Sequence, residues 1–405
     1  SPIVQKYGGS SVAKPEQIQA IAKRVAEFAE QGHSVLVVVS AMGKTTDQLM
    51  ELAYQVSPTP NRRELDMLLS TGERISMALM SMAINDRGAS AISFTGSQAG
   101  VLTDDSHSAA RIIDIKPMRV EAELGKKNIV VLAGFQGVSP RTKEITTLGR
   151  GGSDTTAVAM AAHFKATRCE ILKDVDGVYS ADPNLIKGAE HLPRLHFLQL
   201  LDMTYWGAKV LHYRSVELAH LLSIPLMVGL AHGEGSNTII DGESKMYEQA
   251  AILSINTHKD VRWLKIKKAD LNACLQSLQL ALTEANLPWP QLLDTERDQD
   301  ACSLLITNPT ETLNAIGKLH EKNPDIEYRT ENLSVVAVTC QGSYASNFPE
   351  KICSALNKRS VIVQKLILGA MSIAVVVESK DRDKATQALH DLRGELAQIN
   401  LLDRG

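Results

Sequence analysis

The chain has 405 residues, 44% hydrophobic and 22% charged, with 43 Lys and Arg against 46 Asp and Glu for a formal net charge of −3. At roughly 100–200 residues per domain the length allows two to three domains, and the near-balance of charge argues against a nucleic-acid surface or a polybasic membrane anchor. It contains no run of about 18 apolar residues and no charged leader with an apolar core, which points to a soluble cytoplasmic protein.

In chain order, apolar strands alternate with helical patterns over the first ~240 residues. Strands are expected at 3–6, 35–39, 91–95, 129–133, 169–172, 225–228 and 238–240. Helices are expected near 15–30, 62–86, 116–126, 154–165 and 207–222. The β-branched run Val35-Leu36-Val37-Val38-Val39 suits a strand buried on both faces. Such alternation predicts an α/β fold, a mainly parallel sheet covered on both sides, with ligands beyond the strands' carboxyl ends. Past residue 245 glycine becomes scarce and shorter units follow: strand 262–267, helix 270–285, strand 301–306 and helix 310–322. A similar βαββ-type unit then recurs as strand 333–340, helix 347–358, strands 361–367 and 371–378, and helix 381–396.

Of these segments, Thr146-Thr147-Leu148-Gly149-Arg150-Gly151-Gly152-Ser153-Asp154-Thr155-Thr156 carries the most chemistry. Its glycines let backbone approach a ligand, the helix that follows offers unpaired N–H groups to an anion, and Arg150 adds a planar fork for a carboxylate or phosphate. A dinucleotide fingerprint fails because Asp154 stands where Gly is needed, and a Walker loop ending at Gly43-Lys44-Thr45 fails because Val38 does. Taken alone, the segment also reads as a helix-capping turn with no ligand. Further small and hydroxylic stretches follow strands: Lys6-Tyr7-Gly8-Gly9-Ser10-Ser11 and Ser40-Ala41-Met42-Gly43-Lys44-Thr45-Thr46. A lysine beside backbone amides at a strand end can hold a phosphoryl group as a point charge. Of the cysteines, Cys169, Cys302 and Cys340 lie in apolar strand-like runs, and Cys274 and Cys353 share no CxxC spacing with them, so free buried thiols are expected. The histidines show no metal-ligand pair of the HExxH kind.

The full set resembles the aspartokinases of the amino-acid kinase family: KYGGSSV from Lys6, VVSAMG from Val38, STGE from Ser70, GFQG from Gly134, TTLGRGGSDTTA from Thr146, KDVDGVYSADPN from Lys173 and GAKVLHY from Gly207. The resemblance runs from residue 3 to about 228. It implies a three-layer α/β/α kinase domain over 1–242 and two ACT-like domains over 243–405, approximately 260–330 and 331–400, one inserted in the other and joining subunits into a homo-oligomer. It implies ATP, with Mg²⁺ held mainly by the nucleotide phosphates, and transfer to L-aspartate as the first step toward lysine, threonine and methionine. Carried over residue by residue, Lys6, Asp154 and Lys209 serve catalysis, Asp154 orienting the phosphoryl-side lysines with Lys209 as the second. Ser40, Thr46, Glu73, Arg150 and Ser153 hold aspartate, Arg150 on a carboxylate and Glu73 on the ammonium. Lys6, Gly8, Gly9, Ser10, Lys173, Asp174, Tyr179 and Asn184 face the nucleotide.

Simpler readings stand beside these. Glu73, read as the start of a helix after Gly72, could be serving the helix dipole. Lys209 reads also as a solvated helix residue, Asp176-Gly177 as a turn, and Met77, Met80 and Met82 as core. The chain also departs from the family pattern. Lys173 replaces a Thr or Ser and Asn184 an Arg on the nucleotide side; Lys267-Lys268-Ala269-Asp270 lacks the glycine of an effector turn, and Asn347-Phe348-Pro349 follows Gly342. The polar pair expected near Gln291-Leu292-Leu293-Asp294 has no counterpart. Two alternatives therefore stand: a kinase acting on a related amino-acid carboxylate, and a catalytically weak regulatory or scaffold subunit.

Overall fold

A computed structural model describes residues 1–243, 251–267, 270–285, 287, 289–298, 301–307, 309–322, 326–328, 332–341 and 347–402. They fall into two compact units, the first drawn from 1–178, 191–204 and 209–243, the second from 179–190, 205–208 and the described residues beyond 250. The motifs thus divide: those up to Asp176 lie in the first unit, while Tyr179 and Asn184 lie in the second.

The first unit is built on one sheet ordered Arg194–His196, Asn237–Asp241, Leu226–Leu230, Cys169–Lys173, Ile3–Tyr7, Val35–Val39, Ile129–Ala133 and Ala91–Phe94. Its pairs are parallel except Leu226–Leu230 with Asn237–Asp241. Val35–Val39 is buried at every position, as a central strand covered on both faces requires. Helices Pro15–Glu30 and Arg62–Asn85 cover one face, packing Ile21, Val25, Met80 and Ile84 onto Tyr7, Val37 and Val131. Strand alternation sends Lys6 to the opposite side from Tyr7. There the helix Gly152–His163 lies on the sheet with Tyr213–Leu221 beside it, and its residues Gly152–Ala161 are all buried.

Three features differ from expectation. A small sheet ordered Ile112–Ile115, Val101–Thr103, Gln136–Val138 and Ile145–Thr147 was not legible, because its three- and four-residue strands are too short to show alternation. A helix at Thr45–Val56 forms where no element is expected, and none of its residues is buried. The helix expected over 207–222 starts only at Tyr213, where the His212 ring accepts from the Arg214 N–H as the cap, and a further helix spans Phe197–Tyr205. Of the methionines read as core, Met80 is buried but Met82 is 60% exposed.

The second unit is an antiparallel sheet ordered Leu292–Asp298, Ala301–Thr307, Ala251–Lys267, Leu333–Gln341, Ser372–Glu378 and Lys365–Leu368. The long strand Ala251–Lys267 serves two halves: Ala251–His258 runs along Leu333–Gln341, and Val261–Lys267 along Ala301–Thr307. Leu278, Leu282 and Ile316 pack on one half with Leu264 and Ile306, and Ile352, Leu356 and Leu389 on the other with Ile255 and Val338. Within this unit the segment 179–190 is tied in by Ile255 N–H to Ser180 O at 2.7 Å, Ser180 Oγ to His390 Nε2 at 3.2 Å and Arg393 to Glu190 at 2.8 Å. Lys268, Ala269 and Gly342 of the effector turns lie outside the described residues. All five cysteines are free, four of them buried, as their apolar settings suggested.

Candidate active site

The parallel strands Ile3–Tyr7, Val35–Val39 and Cys169–Lys173 run side by side, so the segments after them emerge along one edge of the sheet. Gly8 N–H donates to Leu172 O at 3.1 Å, Ser40 N–H to Tyr7 O at 3.2 Å and Gly43 N–H to Gly9 O at 2.9 Å, which stitches these segments together. Gly134 N–H reaches Val39 O at 3.1 Å and adds the next strand's exit.

Into this edge projects Lys6. Its Nζ lies 2.6 Å from Asp154 Oδ1, and the two side chains are only 6% and 5% exposed. Lys173 Nζ lies 3.7 Å from the other oxygen, Oδ2, and donates to the Val210 carbonyl. Burial would hold Asp154 protonated, but Lys6 and then Lys173 outweigh it and keep the carboxyl below its usual range. Burial is also the main force drawing the Lys173 ammonium down, aided by Lys6 and opposed by Asp154. Two ammoniums around one carboxylate leave an excess positive charge at the mouth of the sheet. That is what an incoming polyanion needs.

Glu73 stands on a second side. The helix Arg62–Asn85 runs straight through Gly72, so Glu73 sits mid-helix and the reading of it as a helix start is wrong. A Cβ on Gly72 would come within 2.9 Å of Ala41 Cβ; the glycine allows the close packing that puts Glu73 Oε1 3.2 Å from the Ala41 N–H. Glu73 Oε2 is buried and has no hydrogen-bond partner among the described residues. Burial pushes the carboxyl up to about 7, against the Ala41 N–H and the Lys6 charge. A desolvated carboxylate with one oxygen unmatched is suited to receive an ammonium.

The third side is the glycine turn. Gly149 and Gly151 have φ of +74° and +71°, conformations that side chains rarely adopt, and they set Arg150 outward between them. Arg150 is exposed, and among the described residues it makes no ion pair. The helix Gly152–His163 begins directly after, with no side chain capping it and with Ser153 and Asp154 buried in its first turn. Beside it burial lowers His212, Asp154 opposing and the Arg214 and Arg150 charges reinforcing the fall.

Of the remaining residues singled out by sequence, Ser40 and Thr46 are half-buried, Ser10 and Asp174 exposed. Asp174 lies within electrostatic reach of Lys173. Lys209 is exposed and, among the described residues, forms no ion pair with Asp154; the second lysine on that carboxylate is Lys173. The reason is register: Lys173 ends the strand beside Ile3–Tyr7, whereas Lys209 lies in the irregular segment before Tyr213.

Sequence reasoning missed Asp66. It is fully buried and accepts from Thr147 Oγ1 at 2.5 Å and from the Ser108 N–H at 3.0 Å, with His107 Nδ1 at 2.7 Å. Asp66, Ser70 and Glu73 share a helix face at i, i+4 and i+7, and a polar stripe of that spacing inside an otherwise apolar pattern was the available signal. Arg214 was missed as well; it donates to Leu148 O and Ala110 O, both at 2.6 Å.

A model of the amino acid kinase family matches residues 1–229. An aspartokinase of Mycolicibacterium smegmatis is 39% identical over 403 residues, covering 97% of this chain and 96% of its own. The chain belongs to the aspartokinases. Among solved structures of that family, E. coli aspartokinase III in complex with aspartate and ADP superposes with a TM-score of 0.78 at 21% identity, covering 96% of this chain and 99% of that one. The aspartate kinase of Synechocystis is 31% identical with a TM-score of 0.55, covering 97% of this chain and 70% of its own. The fold is thus the aspartokinase fold, a parallel-rich α/β kinase domain followed by an α+β part. Among the described residues no helix is long and apolar enough to cross a membrane.

Proposed function

We propose that this chain transfers the γ-phosphoryl group of ATP to the side-chain carboxylate of L-aspartate, giving 4-phospho-L-aspartate and ADP. The observation that carries this reading is the Lys6–Asp154–Lys173 cluster, flanked by the Glu73 oxygen and by Arg150, neither of which is matched among the described residues. The relatives' shared name, aspartokinase, supports the same acceptor.

The acceptor carboxylate, with a pKa near ~4, is already ionised at neutral pH, so the reaction needs no general base. One of its oxygens forms a bond to the γ-phosphorus as the bond from that phosphorus to the β–γ bridging oxygen breaks, and ADP leaves with the electron pair; no proton moves. The barrier is bringing an anion onto a polyanion, and it is lowered by position and by charge. Lys6 faces the transferring phosphoryl, Asp154 holds Lys6 and Lys173 apart and aimed, and Lys173 adds a second positive charge. Gly8, Gly9 and Ser10 offer backbone and hydroxyl contacts to phosphate. Arg150 clasps a carboxylate of aspartate as a fork, Glu73 receives its ammonium, and Ser40, Thr46 and Ser153 complete its shell. Asp174 borders the nucleotide, and Lys209 supplies an exposed charge for its phosphates.

Among the described residues no three His, Cys, Asp or Glu side chains gather to hold a metal ion. A site this cationic fits Mg²⁺ carried on the nucleotide's own phosphates, where it neutralises charge. Residues 243–405 are read as two ACT-like domains that join copies of the chain into a homo-oligomer in the cytoplasm. ADP release measured against L-aspartate, D-aspartate, L-glutamate and L-asparagine tests the acceptor: L-aspartate alone should support rapid turnover, and equal turnover with L-glutamate would reject it.

A further inference from the structure

The glycine turn that presents Arg150 is closed by a hydrogen bond of its own, Gly152 N–H to Gly149 O at 3.0 Å, and otherwise depends on its flanks. Positive-φ glycines leave many conformations open, and the guanidinium makes no ion pair among the described residues. Its orientation must come from what holds the turn's flank. Thr147 lies one residue before Leu148, and its hydroxyl donates to Asp66 Oδ1 at 2.5 Å. The same carboxylate accepts from the Ser108 N–H at 3.0 and 3.1 Å and meets His107 Nδ1 at 2.7 Å. The loop so anchored returns to the strand: Ala110 N–H donates to Thr147 O at 3.0 Å, and Arg214 ties Ala110 O to Leu148 O. Ser108 O also lies where a Cβ on Gly149 would be, 2.9 Å away, so the loop abuts the turn itself.

We propose that Asp66 is a positioning residue for the phosphoryl acceptor: through Thr147 and Ser108 it fixes the Leu148–Gly151 turn and so the guanidinium of Arg150. A fully buried carboxylate is costly unless its lone pairs are filled, and once they are filled it locks the donors in place. Here the donors come from a helix-facing loop and a strand end, while Asp66 itself rides on the helix that carries Glu73 two turns later. One rigid helix therefore sets both the ammonium and the carboxylate contacts to the acceptor. The proposal rests on the reading that Arg150 binds aspartate.

The test is steady-state kinetics of the full chain carrying T147V, T147S, D66N, R150K and the double substitution T147V/R150K. T147V removes the hydroxyl at nearly constant volume and should raise KM for aspartate roughly tenfold, as small misplacements of an orienting group do, with KM for ATP unchanged. T147S keeps the hydroxyl and should restore the wild-type value. D66N should follow T147V, and if it does not fold, the valine and serine pair decides. T147V/R150K should be no worse than R150K alone, since both act through one guanidinium. A wild-type aspartate KM in T147V, equal defects in T147V and T147S, or an equal rise in KM for ATP would overturn the role of Asp66. If R150K itself left aspartate KM unchanged, the assignment of Arg150 would be the part that fails.

Discussion

Glu73 offers the sharpest physical test, because the site is proposed to hold its charge against the protein's own stability. It is 3% exposed, and burial lifts its carboxyl from 4.5 to about 7. Between those values the folded protein keeps a proton that the unfolded chain has released, so stability falls as pH rises through the window and the full cost is present above 7. A shift of that size corresponds to at most about 3–4 kcal/mol, at ~1.4 kcal/mol per unit. Glu73→Gln keeps a carbonyl for the Ala41 N–H and never ionises. Ligand-free Glu73→Gln should therefore unfold at a higher temperature than the parent at pH 8, by up to roughly 7–14 °C for a domain of this size. At pH 5, where the folded carboxyl is protonated and the unfolded one only partly ionised, the gap should shrink to a small part of that. Calorimetry at the two pH values reads this directly. The same ionisation should make the parent's KM for aspartate rise about tenfold from pH 8 to pH 6, since only the carboxylate form pairs with the ammonium. A stability difference that is the same at pH 5 and pH 8, or a less stable variant at pH 8, would refute the reasoning.

Three other outcomes follow from the same geometry. Arg150→Lys should raise KM for aspartate strongly, because an ammonium cannot reproduce a bidentate fork; a raised KM for ATP with aspartate unaffected would move Arg150 to the nucleotide. Lys173→Thr removes one of two charges on Asp154 and should lower kcat on the order of tenfold or more with aspartate KM little changed, while Lys173→Arg retains more activity; saturation curves for both substrates distinguish them. Lysine and threonine at millimolar levels, alone or together, should barely inhibit, since the sequence Lys267-Lys268-Ala269-Asp270 carries no glycine to bring amides onto an effector carboxylate; several-fold inhibition below 1 mM, at roughly that scale of affinity, would show that such a site exists.

The sheet was readable because buried parallel strands are written as β-branched runs, and Val35–Val39 and Ile129–Ala133 have no competing pattern. The motifs could be placed at strand ends for the same reason. What was hidden depends on contacts across the chain. Lys173 was assigned to the nucleotide, and only the pairing of Cys169–Lys173 with Ile3–Tyr7 sets it against Asp154. Asp66 lies in the second turn of a helix, 81 residues from the Thr147 it anchors, and no local spacing reveals such a partner. Glu73 was tied to the start of a helix by a glycine that in fact serves close packing against Ala41. The segments 179–190 and 205–208 read as part of the kinase pattern, yet they fold with the second unit through Ile255, Ser372 and His390.

The central claim is phosphoryl transfer to a carboxylate, centred on Lys6, and its product is an acyl phosphate. The most direct measurement is to incubate the purified chain with ATP, Mg²⁺, L-aspartate and hydroxylamine and to quantify aspartyl hydroxamate by its iron complex and mass. The account predicts hydroxamate formed in step with ADP, and a loss of about 10²–10³ in rate for Lys6→Ala that stays folded. ADP release without hydroxamate, or a folded Lys6→Ala with near-normal turnover, would contradict it.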